Sequence, residues 1–210
     1  EEGLALDRLT AMFFNLNSAE TNDTLQAEAQ RISPLLTDYG NDIRLNEALF
    51  QRVKTVYDQH ENLSLTAEQQ TLLEKTYKSF TRNGANLSLD DKEHLRKIDK
   101  ELATLKLKFS ENVLAETQHY QWVITDKEQL SGLPDFVLEM LAQEAKKRHT
   151  QGWVITLDLP VYTAVMKYAD NRDLRQKLFT DYHSRCAGDS LYNNEANVLR
   201  IAELRQARAS

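Results

Sequence analysis

The chain has 210 residues, 41% of them hydrophobic and 28% charged, which predicts a packed soluble core. Six glycines and three prolines are too few for a turn-rich all-β fold and favour helices. The net charge is −6 and the two signs are interleaved, so the sequence shows no basic face of the kind that binds nucleic acid or a membrane surface. It also contains no apolar run long enough to predict a membrane span.

Four amphipathic helices are predicted before the middle of the chain. The first covers Leu4 to Asn15. The second is capped by Thr21 or Asn22, and Pro34 inside it either kinks the helix or begins a new one. Later starts are marked by capping residues at Asn46, before a helix from Glu47 to His60, and at Thr66, before a helix that reaches Phe80 and stops at Asn83-Gly84.

The fifth predicted helix, from Asp90 to Thr117, is the longest, and neither glycine nor proline interrupts it. Its apolar residues recur every three or four positions, which is the pattern of a helix with one buried stripe: Leu95, Ile98, Leu102, Leu105, Phe109 and Val113. A helix this long needs neighbours along its whole length. We therefore expect it to be the central helix of a multi-helical fold.

The second half of the chain mixes helices with two strands. Residues 120–125 and 153–157 are rich in aromatic and β-branched residues and are expected to pair as a two-stranded ribbon lying on helices. Helices are predicted from Pro134 to about His149, from Pro160 to about Tyr168, over Asp173–Cys186 and from Glu195 to the end. The prediction is a mainly α fold, arranged as a single helical domain over residues 1–210.

The strongest candidate for chemistry is an incomplete zinc motif at His60-Glu61-Asn62-Leu63-Ser64. In a His-Glu-x-x-His helix the two histidines share one face and bind zinc while the glutamate acts as base. Here Ser64 stands where the second histidine is needed. Since catalytic zinc requires about three protein ligands, we expect no metal site at this position.

The remaining histidines and the cysteine offer no alternative catalytic group. His94, His119, His149 and His183 each lack a second His or Cys at ligand spacing. Cys186 lies three residues after His183 and can share a helix face with it, but a buried, structural cysteine is the simpler interpretation. The sequence therefore predicts no catalytic, cofactor-binding or metal-binding residue in this chain.

Six stretches taken together resemble one family: Phe13–Asn22, Leu45–Val53, Phe80–Leu87, Phe109–Ala115, Leu130–Pro134 and Tyr168–Leu178. In this order they are similar to the N-terminal part of bacterial peptidyl-dipeptidases (dipeptidyl carboxypeptidases), which belong to the thimet-oligopeptidase family of zinc metallopeptidases. The resemblance implies a mostly helical fold that helps wall a deep channel admitting short peptides. It places the zinc, its His-Glu-x-x-His helix and a further Glu in a later half, so no family site residue maps onto this chain.

The resulting hypothesis is an excised, non-catalytic N-terminal domain of a cytoplasmic zinc peptidyl-dipeptidase, inactive alone. Its implied partners are short peptide substrates and the C-terminal catalytic half, with zinc only in the parent, and with neither nucleic acid nor membrane. The alternative is a free-standing helical protein-interaction module without enzymatic activity. Under the first hypothesis, apolar faces are expected to be left bare near both ends of the chain, at Leu4/Leu6/Leu9 and at Val198/Leu199/Ile201/Ala202/Leu204.

Overall fold

The computed structural model describes residues 3–209, and helix dominates this part of the chain. Helices account for 74% of the residues, far above the share of about one-third in ordinary globular proteins. The described residues contain nine α-helices: α1 (Leu4–Ala19), α2 (Asp23–Arg44), α3 (Glu47–Asp58), α4 (Ala67–Arg82), α5 (Leu89–His119), α6 (Asp135–Lys147), α7 (Leu159–Tyr168), α8 (Arg172–His183) and α9 (Glu195–Ala209). With strands β1 (Trp122–Ile124) and β2 (Trp153–Ile155), they confirm the predicted mainly α fold with a small ribbon.

The chain divides into two compact units. The first comprises described residues 3–107 and 201–209, and the second is Lys108–Arg200. The division falls within α5 and within α9. The expectation of a single domain over 1–210 stays a prediction. Within residues 3–209, no helix combines the length and the hydropathy that crossing a bilayer requires.

In the first unit, α1 and α2 form a helical hairpin. The Asn22 side chain accepts a hydrogen bond from the Leu25 backbone N–H at 2.9 Å, so the cap of α2 is Asn22. Helix α2 continues through Pro34, because proline removes only one backbone donor from a helix of 22 residues. The alternative in which Pro34 begins a new helix is therefore wrong.

Helices α3 and α4 pack together in the same unit through aromatic rings. The Phe50 side chain is buried, with its ring centroid 5.9 Å from those of Tyr77 and Phe80. Thr66 and Gln69 form the predicted capping box, each side chain accepting the other's backbone N–H. Helix α3 ends at Asp58, shorter than predicted.

The first part of α5 is joined to α2 by ion pairs at 2.7 Å, Arg96 with Asp42 and Lys100 with Asp38. Its apolar stripe is buried against the last part of α9, in a cluster made of Ile98, Leu102, Ile201 and Leu204, with Leu105 beside it. The expectation that α9 leaves Ile201 and Leu204 bare is therefore wrong, because α5 covers them.

In the second unit, β1 and β2 pair antiparallel, as predicted, with Val123 opposite Val154. Both strands are shorter than the predicted segments, because only Trp122–Ile124 and Trp153–Ile155 pair. One continuous core joins the ribbon to α6, α7 and α8, with these buried residues at its centre: Ile124, Leu130, Val137, Leu141, Ile155, Val161, Val165, Leu174 and Leu178. A two-stranded ribbon is marginal alone, so this helical support stabilises it.

Candidate functional site

The incomplete zinc motif does not lie on an α-helix. His60–Asn62 forms a short 3-10 turn after α3. The His60 ring stacks on the Tyr57 ring at a centroid distance of 5.3 Å, and its Nδ1 lies 2.6 Å from the Tyr57 carbonyl oxygen. This geometry holds His60 against α3, and Ser64 offers no second imidazole.

The other histidines make local contacts and do not meet one another. Nδ1 of His119 lies 2.8 Å from the Ala115 carbonyl oxygen, and Nδ1 of His183 lies 2.9 Å from the Phe179 carbonyl oxygen. His149 follows α6 with a left-handed backbone, φ 56°, and His94 is exposed on α5. Among residues 3–209, no three His, Cys, Asp or Glu side chains come together so as to hold a metal ion.

Cys186 is buried in the loop after α8, with a left-handed φ of 60°. Its backbone N–H donates to Glu116 Oε2 at 2.6 Å. Burial raises the pKa of the Cys186 thiol to about 11, and the neighbouring Glu116 carboxylate adds to the rise. At neutral pH the sulfur is therefore a protonated thiol, a poor nucleophile, because the thiolate is the reactive form.

Glu116 is the residue around which the polar contacts of this loop converge, and sequence reasoning missed it. Its Oε2 also accepts a hydrogen bond from the Ser190 hydroxyl at 2.7 Å. At the next residue of α5, Thr117 Oγ1 accepts from Arg185 at 3.0 Å. These partners lie about 70 positions apart in sequence, and no local pattern reveals contacts of that separation. The cluster holds the loop after α8 against α5.

A second polar cluster ties the ribbon region to α8. The Tyr120 hydroxyl donates to Asp181 Oδ2 at 2.5 Å, and Lys177 reaches the same oxygen at 2.6 Å. Burial, together with the bond to Asp181, raises the pKa of Tyr120. The Lys177 ammonium also lies 4.8 Å from the Trp122 ring centroid. Every group in this cluster has a partner within the unit, so we assign it to stability.

Among the residues that the structure describes, each unit carries an apolar groove. In the first unit a cavity of about 450 Å³ lies between α3 and α4, lined chiefly by Val53, Val56, Leu65, Leu72 and Leu73. In the second unit a cavity of about 470 Å³ is lined by a set that we call the Leu199 groove: Phe109, Val113, Cys186, Ala187, Val198 and Leu199. Apolar grooves on a protein surface are typical of sites that contact another polypeptide or an apolar ligand.

Comparison with known proteins places this geometry in context. No protein-family model matches the chain. Curated relatives do match: "Probable cytosolic oligopeptidase A" of Arabidopsis thaliana is 33% identical over 97% of the chain, and "Dipeptidyl carboxypeptidase" of Escherichia coli (strain K12) is 31% identical over 100% of it. "Organellar oligopeptidase A, chloroplastic/mitochondrial" of Arabidopsis thaliana is 32% identical over 97%.

The chain spans about three-tenths of the length of these relatives, with coverage of 30%, 31% and 27% respectively. The matches nevertheless extend over essentially all of the chain, so they include both compact units. The resemblance that the six sequence stretches indicate is confirmed: the chain is similar to about three-tenths of oligopeptidase A and of dipeptidyl carboxypeptidase.

Proposed function

We propose that this chain is the non-catalytic helical part, at the N-terminal end, of a zinc oligopeptidase that removes dipeptides from the C-termini of short peptides. The observation that carries the proposal is the match to dipeptidyl carboxypeptidase, which covers 100% of the chain but only 31% of that relative. The cytoplasm stays a prediction, supported by the relative that is named cytosolic; a second relative is named organellar.

In this proposal the chain forms part of the channel wall, and the rest of the enzyme carries the zinc and the catalytic residues. A zinc-activated water needs a metal held by about three ligands and a base within hydrogen-bond reach. The described residues do not fit a zinc ion, because none of their His, Cys, Asp and Glu side chains form a group of three. The long helices of the chain instead help wall the channel through which peptides reach the metal.

Peptide hydrolysis by the uninterrupted gene product, compared with hydrolysis by the 210-residue chain, tests the proposal. We expect the gene product to release dipeptides from an oligopeptide in a chelator-sensitive reaction. The chain alone should release none and should hold no stoichiometric zinc after dialysis. Zinc-dependent cleavage by the chain alone would overturn the non-catalytic assignment, and a gene product without peptidase activity would favour a helical interaction module.

The channel-wall role has a separate test. An oligopeptide carrying a photoreactive group, irradiated with the gene product, should attach to residues within this chain as well as to the catalytic part. Excess unlabelled peptide should suppress both products in parallel. If labelling is confined to sequence outside this chain, the channel-wall role is wrong, but the assignment of the parent as a peptidase is unaffected.

A further inference from the structure

The loop between α8 and α9 is fixed at its start by Glu116. The Glu116 carboxylate accepts from the Cys186 backbone N–H at 2.6 Å and from the Ser190 hydroxyl at 2.7 Å. Within the loop, the Asn194 backbone N–H donates to the Cys186 carbonyl at 2.7 Å, which closes the loop on itself. Hydrogen bonds to a carboxylate are stronger than neutral ones, so this end of the loop is held firmly.

The end of the same loop is fixed by a set of asparagines. The Asn194 side chain donates to the Phe109 carbonyl at 3.1 Å and accepts from Asn112 at 2.9 Å and from Asn197 at 2.8 Å. Asn194 and Asn197 are both buried. The loop is therefore tied at both ends to α5, and its conformation is set before any partner arrives.

This rigid loop displays apolar side chains to solvent. Leu191, at its tip, is 95% exposed, and Leu199, on the first turns of α9, is 67% exposed. Leu199 lines the Leu199 groove, of which Cys186 and Ala187 of the loop also form part. Single exposed leucines are ordinary, but a pre-organised apolar groove is a surface of the kind that contacts another polypeptide.

The charged side chains at the rim of the groove are already engaged. Arg185 donates to the Tyr182 carbonyl at 2.9 Å and to Thr117 Oγ1 at 3.0 Å, and its guanidinium lies 3.9 Å from the Tyr182 ring centroid. Glu195 Oε1 accepts from the Gly188 backbone N–H at 3.1 Å. Apart from Arg185, Asn194 and Glu195, the described lining of the groove is apolar, so the groove suits a mainly apolar occupant.

We infer that the Leu199 groove is the seat for an apolar segment from the remainder of the same polypeptide. This inference rests on the proposed function. The relatives are about three times as long as the chain, so the larger part of such a protein is available to cover the groove. A second copy is a weaker occupant, because it carries the same net charge of −6.

Carbene footprinting read by mass spectrometry tests the inference on two samples, the 210-residue chain and the uninterrupted gene product. We expect Leu199 to be labelled in the chain and to fall to background in the gene product. Leu159, 61% exposed at the start of α7 and outside the groove, is the matched reference and should be labelled equally in both.

Two aspartate variants provide the second measurement. Leu199→Asp should leave the Tm of the isolated chain nearly unchanged, because the side chain is already exposed there. The same change should lower the Tm of the gene product by several degrees, because it buries a carboxylate against an apolar segment. Leu159→Asp should shift both samples equally, which separates an interface effect from a general effect of the added charge.

Several results would overturn the inference. Equal labelling of Leu199 in both samples would show that the groove stays open. Protection that appears only when an oligopeptide is added would assign the groove to substrate, and protection that depends on chain concentration would assign it to a second copy. A coding sequence that stops after Ser210 would leave no occupant. Peptidase activity of the gene product is measured independently, so loss of the interface and loss of the proposed function give different results.

Discussion

Replacing Glu116 tests whether one carboxylate organises the loop that borders the Leu199 groove. In Glu116→Ala, the buried backbone N–H of Cys186 loses its acceptor, which costs about 1–3 kcal/mol, and the Ser190 hydroxyl loses a bond worth roughly 1 kcal/mol. The expected loss in the free energy of unfolding of the second unit is therefore about 2–4 kcal/mol. Glu116→Gln keeps an acceptor of similar shape without the charge and should cost about half as much.

The measurement is urea denaturation followed by circular dichroism, together with amide hydrogen exchange at Cys186. Exchange is needed because the two compact units can unfold in separate steps, and only the second contains Glu116. The matched control is Glu139→Ala, which removes an exposed carboxylate from α6 in the same unit and should change stability by less than about 0.5 kcal/mol.

The same substitutions should change the titration of Cys186. The carboxylate of Glu116 contributes to the raised pKa of the Cys186 thiol, so Glu116→Gln should lower that pKa from about 11 toward the ordinary value. Burial is the larger cause and remains, so the return should be partial. Thiolate absorbance against pH measures it. An unchanged thiol pKa, combined with unchanged exchange at Cys186, would refute the role of Glu116.

Three further predictions concern Gly152, the pH dependence that Cys186 causes, and Thr66. Gly152→Ala should destabilise the ribbon by more than about 2 kcal/mol in thermal unfolding, because φ is +91° and the new Cβ would lie 2.2 Å from the Ile124 carbonyl oxygen. The control is Gly188→Ala, where φ is +61° but the new Cβ would meet open space. It should show only the backbone cost of about 1 kcal/mol. As pH rises from about 9 to 11, the unfolded thiol of Cys186 ionises before the folded one, whose pKa is about 11, so stability should fall by about 2 kcal/mol, a slope that Cys186→Ala removes in denaturant titrations. Thr66→Ala should cost about 1 kcal/mol of α4 stability by loss of the capping box, and no change in urea midpoint would contradict it.

Local patterns were sufficient to predict most of the helices and the ribbon. The cap at Thr66 depends on residues three positions apart, and the long stripe of α5 depends on neighbours three or four apart, so both are visible in the sequence. The pairing of β1 with β2 was predictable because Trp-Val-Ile occurs in both strands. Pro34 was ambiguous, because a proline that removes one donor from a long helix has the same local sequence as a proline that begins a new one.

The contacts that shape the second groove were not predictable, because they join distant positions. Asn194 lies 85 residues from Phe109, whose carbonyl it binds, and Glu116 lies 70 residues from Cys186. The sequence showed only a loop near Gly188. The incorrect expectation for Ile201 has the same origin, since periodicity marks an apolar face on α9 but does not say whether α5 covers it.

The polar chemistry of the loop after α8 helps distinguish a permanent interface from a transient one. A surface that exchanges partners in solution commonly retains a polar rim whose charges contribute to encounter, whereas a permanent interface resembles a core cut in half. Around the Leu199 groove, Arg185 and Glu195 are already engaged by groups of the same unit, and the groove itself is lined chiefly by apolar side chains. Covering this mainly apolar surface permanently would remove apolar area from water, whereas the surface provides few groups for binding a charged partner. We therefore favour a segment of the same polypeptide over an exchangeable partner of a free-standing module.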